Sequence, residues 1–168
     1  MRARAGILIA QLALLTLLWM ALSLVNVASA EHVSWHQRSL TYDVHLGVVP
    51  ASIVQQDREL VRLHKMVGHG RHKRVGSTYH VMVAVFESAK PGRVIDAEVV
   101  AELVESDLIH MKKQRKRLEP MELPSGVTYC NFFDLHWDGK YRVHVTIRAP
   151  GKTPEKVTFV QEIYRAPG

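Results

Sequence analysis

Alternation between apolar and polar side chains organises most of this chain. At residues 141–148, Tyr141, Val143, Val145 and Ile147 alternate with Arg142, His144, Thr146 and Arg148. That is the pattern of a strand with one face in a core and one in water. Residues 79–86 place Val81, Val83 and Val85 on one side and His80 and Met82 on the other. Ile95, Ala97, Val99, Ala101 and Leu103 repeat the period over 95–104. Residues 40–49, 127–135 and 156–164 read as further strands, and 117–121 as a short one. Pro91-Gly92 marks a turn, and 107–114 a connecting segment. Pro50 suits the first turn of a helix, and Ile53, Val54, Leu60, Val61 and His64 follow at helical spacing. Seven strands with mostly short turns predict a mostly β fold, an immunoglobulin-like antiparallel β-sandwich with a short helix. The predicted domain spans 40–168, and residues 31–39 form an exposed arm before it.

The beginning of the chain follows a different pattern. Arg2 and Arg4 precede an uncharged, mostly apolar run from Gly6 to about Ala28. Ala28-Ser29-Ala30 has the small-x-small spacing of a signal-peptidase site, and Glu31 opens a polar chain. Residues 1–30 therefore predict a signal peptide that is cleaved. The alternative is an uncleaved anchor helix, since about twenty apolar residues also span a bilayer. In both cases residues 31–168 are exported.

Export changes the meaning of the composition. The chain has 22 Lys+Arg against 16 Asp+Glu. Without Arg2 and Arg4 the balance falls to 20 against 16. A basic protein outside the cytoplasm meets anionic lipid rather than nucleic acid, so no nucleic-acid partner is predicted. The single cysteine, Cys130, permits no internal disulfide and reads as a buried thiol in an aromatic strand. The run 112–117 holds five Lys or Arg in six residues and reads as a solvated loop or edge strand. Its functional alternative is contact with an anionic membrane surface.

Candidate chemistry concentrates in one stretch. His64, Met66, His69 and His72 lie within nine residues, interleaved with Gly68 and Gly70, just before the strand carrying His80 and Met82. Imidazole and thioether are both copper ligands, and thioether favours Cu(I). Met121, in Leu118-Glu119-Pro120-Met121, adds another thioether at the end of a predicted strand. The predicted metal ligands are Met66, His69, His80 and Met121, with His72 and Met82 in reserve. Copper is expected over zinc, which rarely takes thioether. The bland alternative is a solvated histidine loop, with Met82 and Met121 as core filler. His144 reads as a solvent-facing strand residue, and His32, His36, His45 and His136 show no recognisable spacing. No nucleophile motif and no tight carboxylate pair with a base is present, so the chain is read as a non-enzyme. Two function classes remain: copper handling or delivery through a His/Met site, or an interaction module that binds a protein or membrane partner without metal.

The order of these motifs resembles a group of poorly characterised bacterial periplasmic proteins. They share an N-terminal signal, a Met/His/Gly loop, a His-bearing valine-rich strand, a Leu-Glu-Pro-Met segment, an aromatic strand and a final Tyr-x-Val-x-Val-x-Ile-Arg-x-Pro-Gly strand. Here these are residues 66–70, 79–86, 118–121, 127–134 and 141–151. More distantly, the layout is similar to the immunoglobulin-like copper-resistance proteins of the periplasm. That resemblance implies a β-sandwich in the periplasm and points to copper or iron handling. Such proteins often use an N-terminal histidine amine for Cu(II). Cleavage after Ala30 leaves Glu31 first and His32 second, so that ligand is not reproduced.

Overall fold

The computed structural model describes residues 32–56, 77–90, 92–105 and 112–164. Their strands are β1 (His36–Arg38), β2 (Tyr42–Pro50), β3 (Thr78–Glu87), β4 (Glu98–Glu105), β5 (Lys113–Leu123), β6 (Gly126–Asp134), β7 (Gly139–Arg148) and β8 (Glu155–Ile163). One helix, α1 (Ala51–Gln56), follows β2. The strands form a nearly closed antiparallel sheet in the order β1-β2-β3-β6-β5-β4-β7-β8. This is the mostly β, sandwich-like class that the alternation predicts. Residues 32–168 form one compact unit, which contains every described strand and the whole described core.

The core is what the period of two requires. Val44 and Leu46 from β2, Val81, Val83 and Val85 from β3, Val99, Ala101 and Leu103 from β4, and Val143, Val145 and Ile147 from β7 all point inward. Tyr129, Phe133 and Phe159 fill the space between them. At about 25 cal/mol per Å² of apolar surface removed from water, this cluster is the main stabilising term.

β5 joins the two halves. Its residues 99-facing and beyond, Lys113 to Leu118, pair with β4, while Glu119 to Leu123 pair with β6. Where β5 parts from β6, side chains seal the seam. The Lys116 ammonium donates to the Phe132 carbonyl at 2.6 Å, and Asn131 Nδ2 donates to the Arg117 carbonyl at 2.8 Å. Gln114 donates to the Asp134 carbonyl and accepts from the Asp134 amide. The basic run is thus half of a long strand rather than a loop. Its inward positions are polar because they satisfy backbone groups that no ladder reaches.

Two other boundaries differ from the alternation. β4 begins at Glu98, and Ile95 is 65% exposed. The Tyr129 hydroxyl accepts from the Ala97 amide and donates to the Val94 carbonyl, so these backbone groups bond a side chain instead of a strand. The stretch 32–39 is largely exposed but is tied down at both sides. β1 pairs with β2, and the Ser34 amide donates to the Val160 carbonyl of β8 at 3.0 Å. It therefore bridges the two edges of the sheet. At the β5–β6 turn, Gly126 has φ 109°, a conformation that L side chains rarely adopt.

Candidate functional site

Residues paired across an antiparallel sheet share a face, and alternate residues along a strand share it too. His80 is opposite Val49 on β2 and Phe132 on β6. Met82 is opposite Gly47 and Cys130. Glu119 is opposite Cys130, and Met121 opposite Thr128. The register therefore puts His80, Met82, Cys130 and Met121 on one side of the β2–β3–β6–β5 sheet, away from the main core.

That side is not simply open to water. α1 lies over part of it, and Ala51, Val54 and Phe132 form a second apolar cluster with Val49. His80 is 0% exposed, with its ring 4.8 Å from that of Phe132. Cys130 is buried as well, and burial, then the charge of Glu119, pushes its thiol up to about 12. At neutral pH this group is a thiol, not a thiolate ligand. Met121 is buried, while Met82 is half-buried. The Met82 methyl group lies over Gly47, where an added Cβ would stand 3.3 Å from it. Glycine at 47 gives the thioether its place against β2.

The register separates some predicted ligands and groups others. His80 and Met121 stand two strands and four residue levels apart, about 17 Å between Cα atoms. His80 and Met82 are two residues apart on β3. Met82 has a further neighbour that spacing did not reveal. His45, on the adjacent strand two residues before Gly47, is a diagonal neighbour at about 8 Å between Cα atoms. The His45 ring stacks on His36 at 4.6 Å and meets Phe86 edge-on at 5.5 Å. Burial, then the neighbouring His36, holds the His45 imidazole below its usual pKa, in the neutral form that binds metals. The clue to this pair was the Arg38 to Thr41 reversal between two strands, which sets His36 opposite His45. Met66, His69 and His72 lie outside the described residues. The chain leaves the description after Gln56 and returns at Ser77.

Copper suits this donor set by chemistry: a thioether, exposed imidazoles and no carboxylate cage. Among the described residues, no group of three or more His, Cys, Asp or Glu side chains is placed to hold a metal ion. Among the same residues, no helix is long and apolar enough to cross a membrane.

Solved structures share this fold. A DUF4426 family protein from Pseudomonas aeruginosa is 20% identical, with a TM-score of 0.57 over 79% of this chain and 95% of its own. FetP from a uropathogenic Escherichia coli strain is 12% identical, with a TM-score of 0.60 over 80% and 96%. The copper-reconstituted P19 protein from Campylobacter jejuni is 12% identical, with a TM-score of 0.55 over 81% and 97%. No protein-family model and no curated protein matches the chain. At these identities the likeness establishes the fold class, a distant relation in shape to these proteins, and no immunoglobulin-like family membership.

Proposed function

We propose that this is an exported, periplasmic, non-enzymatic protein that binds copper on the outer face of β2 and β3. The observation that carries the reading is the Met82 thioether arched over Gly47, on the face it shares with His80 and beside His45. Soft and borderline donors together select copper from the common divalent ions. The likeness in fold to P19, a protein crystallised with copper, supports the choice of metal. Met66, His69 and His72, outside the described residues, stay candidate donors from the sequence alone, whereas Met121, buried on β5 about 17 Å from His80, belongs to no shared site with it. The apolar run at 6–28 with Ala28-Ser29-Ala30 supports export.

The test is competition of the purified protein against a Cu(I) chelator. Met82→Leu keeps the volume and removes the sulfur, so the fold survives. His45→Ala removes an exposed ring. Each variant is expected to lose at least about tenfold in affinity, or about 1.4 kcal/mol. Affinity for Cu(II) should fall in acid, at a pH below the ordinary histidine range of about 6.5, because imidazole must be neutral to bind and the His45 pKa is lowered. If neither variant differs from wild type, copper does not bind on this face.

A further inference from the structure

The opposite half of the sheet has a different outer face. Outward positions on β5 are Lys113, Arg115 and Arg117, all exposed. The ladder sets Arg117 opposite Val100 and Val100 opposite Thr146, which faces Lys156 on β8. One level along, Arg115, Glu102, His144 and Thr158 form the next row. Lys113, Val104, Arg142 and Val160 form a third. Arg148 and Lys140 continue the face along β7. Its carboxylates are Glu98, near Arg148 at 3.5 Å, Glu102, near Arg115 at 3.8 Å, Glu162, and Glu119 two residues beyond Arg117 on β5. Among the described residues, seven Lys or Arg thus share this face with four Glu.

We infer that the outer face of β5, β4, β7 and β8 docks on an anionic phospholipid surface. This inference is independent of the copper reading, because it uses the other half of the molecule. The charges form a two-dimensional lattice over four strands, about 5 Å apart across the sheet and about 7 Å apart along it. A linear polyanion is met by a line of cations in a groove, and a headgroup plane by a lattice. Val100 is buried although it points outward, so the stems of its neighbours cover it and hold their charged ends toward solvent. His144 sits in the middle row. Its Nδ1 is 2.8 Å from the Thr158 hydroxyl, and it is faced by Lys156 of β8, Glu102 of β4, Arg142 of β7 and Lys113 of β5. Burial first, then Lys156, lowers its pKa, with Glu102 acting in the opposite sense. An anionic surface would favour its protonated form, so docking takes up a proton and tightens as pH falls.

The experiment is vesicle flotation of residues 32–168, the compact unit that carries the whole described core. The vesicles are phosphatidylcholine with or without phosphatidylglycerol. Binding is expected only with phosphatidylglycerol, weakening with added salt. Arg117→Glu with Lys156→Glu should lower the partition coefficient about thirtyfold. Lys90→Glu with Lys152→Glu changes net charge equally but lies on turns, and should lower it no more than about twofold. Melting temperatures verify that both variants fold. Wild type should bind more tightly at about pH 5.5 than at about pH 7.5, and His144→Gln should remove that difference. Three results would overturn the inference: equal binding to neutral vesicles, equal losses in the two double variants, or displacement by soluble polyphosphate at equal phosphate concentration.

Discussion

The outer faces of β3 and β7 show how far the same alternation can diverge. Both strands send valines into one core: Val81, Val83 and Val85 from β3, Val143, Val145 and Ile147 from β7. On the other side, β7 presents Arg142 and His144 toward water, whereas β3 presents His80 to a second buried layer under α1. Period two reports which residues share a face. It does not report whether the second face is wet. A histidine between valines reads as solvent-facing in either strand, and only an overlying element changes that.

The largest effect that separates inside from outside is on β7. Val145 is 0% exposed, so Val145→Asp buries a charge with no partner provided for it. The expected cost is roughly 4 kcal/mol or more, against a typical domain stability of about 5–15 kcal/mol. Circular dichroism should show loss of cooperative unfolding. His144→Ala, one residue away on the wet face, should leave the denaturation midpoint nearly unchanged. Similar losses in the two would mean that the strand faces are reversed.

The next contrast concerns the covered face of β6. Burial raises the Cys130 thiol from its ordinary 9.0 to about 12, which reduces the thiolate fraction at pH 8 about a thousandfold. Thiol titration with a chromogenic disulfide at pH 8 should therefore be slow in native protein and immediate in denaturant. Fast native labelling would show that this face opens. Phe132→Ala probes the same layer by packing. It removes a nearly buried ring from between α1 and His80, at roughly 3 kcal/mol. Arg117→Ala, on the basic face, should stay within about 0.5 kcal/mol. A denaturation series that ranks these two equally would remove the distinction between a dry and a wet outer face.

These contrasts also mark what could be read from residues alone. Strands at 79–86 and 141–148 were legible because large β-branched residues repeat without interruption. The ends of β4 and β5 were not. Ile95 and Ala97 continue the alternation, but the Tyr129 hydroxyl bonds the Val94 carbonyl and the Ala97 amide in place of a neighbouring strand. Lys116 and Gln114 look like loop residues until β6 supplies carbonyls for them to cap. The candidate site followed the same rule. Sharing of a face by His80 and Met82 follows from spacing on one strand. The approach of His45 to Met82, and the distance between His80 and Met121, depend on the order of strands, which no local pattern contains.

The smallest effect lies at the rim of the soft face, where β1 closes on β2. Asp43 accepts from Arg38 Nε at 2.7 Å and stands 3.1 Å from His36 Nε2. The Arg38 hydrogen bond leads in drawing its carboxyl from 3.8 down to about 2, helped by Ser88 and His36. A lowered carboxyl pKa favours the folded state above the unfolded pKa, and that support fades as pH falls through the folded one. The contribution of the Asp43 carboxylate to holding β1 should thus be complete above about pH 5 and lost progressively toward about pH 2. Carboxyl-carbon NMR of Asp43 reads this directly. In Arg38→Ala the midpoint should rise toward 3.8 with little change in the global unfolding midpoint, because the pair is exposed and screened. If the midpoint stays near 2, His36 and Ser88 rather than Arg38 hold the carboxylate. The stacked pair of His36 and His45 would then be fixed from both strands, and His36→Ala should raise the Asp43 midpoint where Arg38→Ala does not.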